Sequence, residues 1–235
     1  MQRVIQIPIL PFGMINSYLI RGSIKHVLVD SGVPGSEKKI LHHLKSQGIK
    51  PGDIGLLLIT HGHLDHFGST EELKDILNIP VLIHEKDAPA LVSGKSLFNT
   101  LKPNKPYWNL LKWRLSKDFA RPAEPDIILK QDDKFSLEEF GIKGSVIHTP
   151  GHTPGSLSII LDHGEAIIMD LASSGIFLGG IAFRSRMKHP PFHDNKQEVK
   201  KSIYNVLRGN TNTFYLGHGY PVNRRLLEHY AKNML

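Results

Sequence analysis

Between Ile54 and Leu77 the chain changes character twice. Ile54-Gly55-Leu56-Leu57-Leu58-Ile59 is a short aliphatic run entered from Pro51-Gly52-Asp53, the pattern of a buried strand that follows a turn. Thr60-His61-Gly62-His63-Leu64-Asp65-His66-Phe67-Gly68 comes next and offers three imidazoles and a carboxylate. Ser69 to Leu77 then has helical spacing, with Leu73, Ile76 and Leu77 on one face. The ligand-rich stretch is therefore expected at the rim of a sheet, on a strand-to-helix turn that a rigid scaffold can hold open to solvent.

His61 and His63, two apart in an extended turn, can point the same way toward one divalent ion, and Asp65 and His66 can face a second. Imidazole and carboxylate without thiolate suit zinc and also accommodate iron or manganese. The chain has no cysteine, so neither a disulfide nor a thiolate ligand enters the argument. Its 29 Lys and Arg against 22 Asp and Glu leave a formal charge of +7, to which bound metal would add. A small anionic or acyl substrate fits that balance. The basic residues are scattered, which speaks against nucleic acid as a partner. No apolar stretch approaches membrane-spanning length and the N-terminus lacks a secretory pattern, so a cytoplasmic protein without a membrane partner is expected.

In chain order, residues 3–10 and 14–21 read as a hairpin about Pro11-Phe12-Gly13, and Lys25 to Val29 as a third strand. Asp30 follows it either as a turn residue or as a carboxylate that orients a ligand histidine from behind; both readings stand. Glu37 to Gln47 reads as a helix stopped by Gly48, with His42 and His43 on its surface, and Val81 to His84 as a strand with a structural His84. Residues 93–125 are broken by four prolines and hold both tryptophans on one short helix, an expected insertion over the sheet rim that acts as a lid or is merely pinned there by its aromatics. At 235 residues, the whole is expected as one domain, 1–235, carrying this insertion. Downstream, Lys134 to Phe140, Ile142 to Ile147, Leu157 to Leu161, Ala166 to Met169 and Phe214 to Leu216 are candidate strands. Helices are expected from Asp194, as cap, to Leu207, and from Leu226 to Leu235.

Three further ligand candidates share one address, a strand end beside Gly or Pro. They are His152 in Thr149-Pro150-Gly151-His152-Thr153-Pro154-Gly155, Asp170 after its apolar run, and His218 between glycines. His148 has at most a supporting role. With the first motif they make seven ligands, enough for two ions with room for water.

His61-Gly62-His63-Leu64-Asp65-His66, the Thr149 to Gly155 segment, Asp170 and Gly217-His218-Gly219 together resemble the signature of the metallo-β-lactamase superfamily, in order and spacing, from Asp30 to His218. The resemblance implies an αββα sandwich of two mixed β-sheets faced by helices, an α/β (α+β) fold. It implies one ion on His61, His63 and His152, and a second on Asp65, His66 and His218, with Asp170 bridging. Met169 stands where family members usually have glycine, which puts the local turn in question more than the ligand.

Two ions about 3.5–4 Å apart would share a water and bring its pKa toward neutrality, giving a hydroxide that attacks an acyl carbon. Asp65 would both ligate and carry a proton to the leaving group. This predicts hydrolysis of a thioester, lactone or other ester. Within the family the set looks more like glyoxalase II and acyl-homoserine lactonases than β-lactam hydrolases. The short segment after His218 argues against the helical glutathione domain of full-length glyoxalase II, and the 47 residues between Asp170 and His218 against an RNA-processing insertion. The alternative is an oxidoreductase resembling the mononuclear iron persulfide dioxygenases of the same fold. Phe177, Phe183, Phe192 and Tyr204 are open to either pocket or core, while Arg184 and Arg186 read as surface.

Overall fold

The computed structural model describes residues 3–97, 100–115 and 117–233, and within the helix at 108–115 it leaves the side chains of Leu111, Arg114 and Leu115 undescribed. Two six-stranded sheets face each other. The first runs β1 (Val4–Pro8), β2 (Asn16–Ile20), β3 (His26–Val29), β4 (Ile54–Leu58), β5 (Val81–His84) and β6 (Ile127–Leu129). Its first three strands are antiparallel neighbours and β3 to β6 are parallel. The second sheet uses β7 (Phe135–Ser136), β8 (Gly144–His148), β9 (Leu157–Leu161), β10 (Glu165–Ile167), β13 (Thr213–Tyr215) and β14 (Val222–Asn223), in the order β14-β13-β10-β9-β8-β7, with only β10 and β13 parallel. A separate two-stranded ribbon pairs β11 (Ser173–Ser174) with β12 (Met187–Lys188).

The period of two along each strand divides the apolar residues between layers. Val27, Val29, Leu56 and Leu58 turn inward to meet Val146, Ile159, Ile167 and Tyr215 of the second sheet. Their neighbours Leu28, Leu57 and Ile59 turn outward under α1 (Glu37–Ser46), α3 (Thr70–Leu77) and α4 (Ala88–Ser93), meeting Ile40, Leu73 and Leu91. On the far side Ala166, Ile168, Phe214 and Leu216 pack under α6 (Lys196–Leu207) and α7 (Arg224–Asn233). Each such aliphatic side chain contributes about 1.5–3 kcal/mol when taken from water. Three buried layers between two sheets and two sets of helices make the αββα sandwich, and no helix among the described residues is long and apolar enough to cross a membrane.

Local expectations hold along most of the chain, with instructive exceptions. The stretch expected as one strand over 134–140 is only β7, followed by a 3-10 turn at Glu138–Phe140. The cap of α6 is Asn195 and not Asp194, because the Asn195 side chain accepts from the backbone N–H groups of Gln197 and Glu198. The last helix begins at Arg224, and its expected end at Met234 and Leu235 lies outside the described residues. Of 93–125, residues 98, 99 and 116 are likewise outside them. The rest of that segment carries α5 (Trp108–Leu115), with Trp108 half-buried but Trp113 57% exposed, so aromatic packing does not account for both.

Tyr18 of β2 ties the two sheets together. It is fully buried, meets Tyr215 edge-on at 5.4 Å, and donates its hydroxyl to the Leu216 carbonyl at 2.6 Å. Tyr18→Phe keeps the ring and leaves that buried carbonyl without this donor. Urea unfolding is expected to show a loss of about 1–3 kcal/mol.

Candidate metal centre

Every candidate ligand lies beyond the end of a strand, at one common end of both sheets. β4 leads into the turn with His61 and His63, and α2 (Leu64–Phe67) supplies Asp65 and His66. The β8–β9 turn brings His152, the 3-10 turn after β10 brings Asp170, and the loop after β13 brings His218. Backbone hydrogen bonds lock these turns together across the sandwich: Leu157 N–H to Thr60 O at 2.8 Å, Asn16 N–H to Gly217 O at 3.0 Å and Ser174 N–H to His218 O at 3.1 Å.

The seven side chains converge. Ligand-capable atoms of His61, His63 and His152 lie within 4.8 Å of one another, and so do those of Asp65, His66 and His218. Asp170 reaches both groups, its Oδ2 lying 3.5 Å from His152 Nε2 and 3.0 Å from His218 Nε2, and its Oδ1 3.7 Å from His66 Nε2. A third grouping, Asp30 with His61 and His66, is equally tight. Asp30 is nevertheless no ligand, because its two oxygens are already taken by the Thr60 N–H, the Thr60 hydroxyl and His66 Nδ1 at 2.7–2.8 Å.

Hydrogen bonding behind the imidazoles decides which nitrogen faces the centre. Thr60 gives its hydroxyl proton to Asp30, so it can only accept from His61 Nδ1. Thr100 donates to the Leu97 carbonyl and accepts from His63 Nε2. His66 Nδ1 donates to Asp30, and His218 Nδ1 to the Met14 carbonyl. With the nitrogen behind engaged in this way, the one that faces the centre is Nε2 in His61, His66 and His218, and Nδ1 in His63. His152 turns its Nε2 to within 2.9 Å of His63 Nδ1, as two donors aimed at one point do.

The donor set fits divalent cations. His61 Nε2, His66 Nε2 and Asp170 Oδ1 are buried without a hydrogen-bond partner, which in a folded interior calls for an ion or ordered water. Burial holds His61 and His152 well below the usual imidazole range and His63 at about 4, so all three are neutral and ready to ligate. Around the second group burial also opposes charge, but Asp170, Asp65 and Asp30 outweigh it and bring His66 up to about 10. His218 is raised against its own burial, chiefly by Asp170. For Asp170 burial is outweighed by His218 and His66, which hold it far below the usual carboxylate range. A field that collects protons in this way favours a divalent cation in their place.

The Asp30 ambiguity is resolved: it is fully buried and orients His66. The turn at Met169 also survives the missing glycine. Met169 takes φ +40, a left-handed conformation that costs an L-residue about 1–2 kcal/mol, and so presents Asp170 to the site. Gly217 is required where it stands, since a Cβ there would lie 2.1 Å from Asp170 Oδ1. His84 and His148 stack on each other at 4.1 Å, away from the ligands, and His84 bonds the Gln131 carbonyl. Of the open aromatics, Phe192 is buried against the site pocket, while Phe177, Phe183 and Tyr204 are exposed.

Sequence reasoning missed Asp87. It is buried three residues beyond the end of β5, accepting from Gly62 N–H and the Thr153 hydroxyl through Oδ2 and from Gly155 N–H through Oδ1. One carboxylate thereby joins the His61–His63 turn to the His152 turn. Only the strand-end address shared by the ligands could have pointed to it. With zinc as the probe ion, Asp30→Ala and Asp87→Ala are each expected to lower divalent-ion affinity by about 10–100-fold in competitive chelator titrations, because both side chains hold the turns that carry the candidate ligands.

The sequence model of the metallo-beta-lactamase superfamily matches residues 10–218. The chain is 27% identical over 210 residues to the "Probable metallo-hydrolase YflN" of Bacillus subtilis, covering 83% of this chain and 76% of that protein. It is 24% identical over 211 residues to the "Exodeoxyribonuclease WalJ" of Streptococcus pneumoniae, covering 86% and 77%. The fold is shared with a metallo-beta-lactamase family protein of Thermus thermophilus, at a TM-score of 0.69 and 19% identity over 99% of this chain and 79% of that one. A matched profile that runs from the first hairpin to the last candidate ligand, His218, on a four-layer sandwich with the candidate ligands at one end of its sheets, makes this chain a member of the metallo-β-lactamase superfamily of metallo-hydrolases.

Proposed function

We propose that the protein hydrolyses a thioester, lactone or other ester bond with the help of two divalent ions, zinc being the best match to the donor set. The observation that carries this reading is Asp170, whose single buried carboxylate lies within 3.7 Å of ring nitrogens from both ligand groups. When bound, such a pair of ions would acidify a shared water and polarise the acyl carbonyl. His61, His63 and His152 would hold one ion, and Asp65, His66 and His218 the other.

The chain's own part is to orient, to exclude water and to move a proton. Leu101, Phe192 and Ile15 line the pocket beside the ligands, and their low polarity strengthens each electrostatic contact inside it. Asp65 is the most open of the ligand carboxylates, with its side chain 28% exposed against 4% for Asp170. That exposure supports Asp65 as the group that takes a proton and delivers it to the departing oxygen or sulfur. The proposed partner is a small anionic or acyl molecule, and residues 93–125 are proposed to act as its lid, because Ser96, Thr100 and Leu101 already reach the ligand turn or the pocket.

A second reading, phosphodiester cleavage, draws on the similarity to the exodeoxyribonuclease and on the positive charge. Elemental analysis combined with a panel of lactones, thioesters and DNA separates the readings. Two zinc ions per chain with turnover of a lactone or thioester, lost in His61→Ala, is the expected result. Iron at one per chain with oxygen uptake, or cleavage of DNA alone, would overturn it.

A further inference from the structure

The pocket at the ligands is small, about 120 Å³, enough for a reacting group and little else. Beside it opens a cleft of about 940 Å³, at the upper end of the range for small-molecule sites. The two are neighbours by construction. Leu178 lines both, and Met187 in the cleft wall belongs to the ribbon strand paired with β11, whose Ser174 N–H bonds the His218 carbonyl. Asn104 N–H bonds the Pro191 carbonyl, closing the insertion onto the same segment.

The cleft has two chemistries. Trp108, Leu110, Ile176 and Phe177 make an apolar wall from two different segments, and the Trp108 and Phe177 rings meet at 6.3 Å. Phe177 is 61% exposed and sits at φ +59, a strained position for an aromatic residue and one seldom kept without a use. Lys188 holds it there by donating to the Phe177 carbonyl. Lys105, Arg186, Lys188 and Lys196 supply positive charge, and no carboxylate lines the cleft among the described residues. Lys188 is half-buried, and burial with Arg186 beside it brings its ammonium down to about 8. An apolar wall with unneutralised cations at its edge complements one kind of molecule.

We propose that this site acts on an anionic amphiphile, whose reacting bond enters the pocket at the ligands while its apolar chain lies along Trp108 and Phe177 and its carboxylate or phosphate meets Arg186 and Lys188. The inference rests on the hydrolase reading for the bond that is cut, and not for the occupancy of the cleft. The two rings lie tilted against each other in the wall of a concave cleft, and a cleft suits a single chain better than a lipid surface.

Calorimetric titration of the full-length chain with decanoate, decyl phosphate and decyltrimethylammonium, each below its micellar concentration, tests the proposal without reference to turnover. The two anions are expected to bind about tenfold or more tighter than the cation. The double change Arg186→Ala, Lys188→Met should remove that preference, and Phe177→Ser should weaken all three. Should the double variant not fold, Arg186→Ala alone makes the comparison, since that side chain is exposed. Preference for decanoate or for decyl phosphate identifies the anion, and either supports the proposal. Equal binding of anion and cation, an undiminished preference in the variants, or binding only to phosphatidylglycerol vesicles would overturn it. Anion binding in a protein that cleaves no ester would sink the hydrolase reading and keep the cleft. Ester cleavage without anion preference would do the reverse.

Discussion

Five imidazoles and two carboxylates crowd one end of the sandwich with their ligand-capable atoms directed at a shared space. Without a cation that arrangement is unfavourable, because His61 Nε2, His66 Nε2 and Asp170 Oδ1 are buried without a hydrogen-bond partner and lose the hydrogen bonds they had in water. The surrounding structure is organised to hold it all the same. Thr60, Thr100, Asp30 and the Met14 carbonyl each take the proton on the far side of an imidazole. Asp87 and the Asn16 side chain, which donates to the Gly219 carbonyl at 2.8 Å, hold the ligand-bearing turns from behind. Much of the polar interior is thus committed to aiming a few lone pairs.

The sandwich makes this possible because its two sheets end together. Four of the seven candidate ligands follow a strand of the first sheet, and three follow strands of the second. Neither sheet alone could surround an ion. The inward side chains of β3, β4, β9 and β10 bury each other and set the distance between the sheets, and the ligand turns inherit that distance. Residues 101–110 and 174–189 then build up the wall on one side of the opening, where the large cleft lies.

Long aliphatic strands and amphipathic helices were legible because their signal is local and repeats. The two- and three-residue strands β6, β11, β12 and β14 were not, since each exists only through its hydrogen-bonded neighbour. The candidate ligands were legible as types at strand ends, and the resemblance to a family tied them together. Asp30 stood open between two roles because a turn Asp and an orienting Asp have the same neighbours in sequence. Asp87 was invisible for a related reason: its partners, Gly62, Thr153 and Gly155, are 25 to 68 residues away.

What the amino-acid order determined by itself is the alternation that sends Leu56 and Leu58 to one layer and Leu57 to another, and the presence of nitrogen and oxygen ligands without sulfur. These depend on backbone periodicity and side-chain chemistry, which need no distant partner. Only the tertiary structure decided which nitrogen of each histidine faces the centre, that Met169 takes a left-handed turn to present Asp170, and that a basic, aromatic cleft opens beside the ligands. Each of those depends on atoms that meet only after both sheets have packed, because a hydrogen bond or a cavity wall has no existence until its far partner arrives.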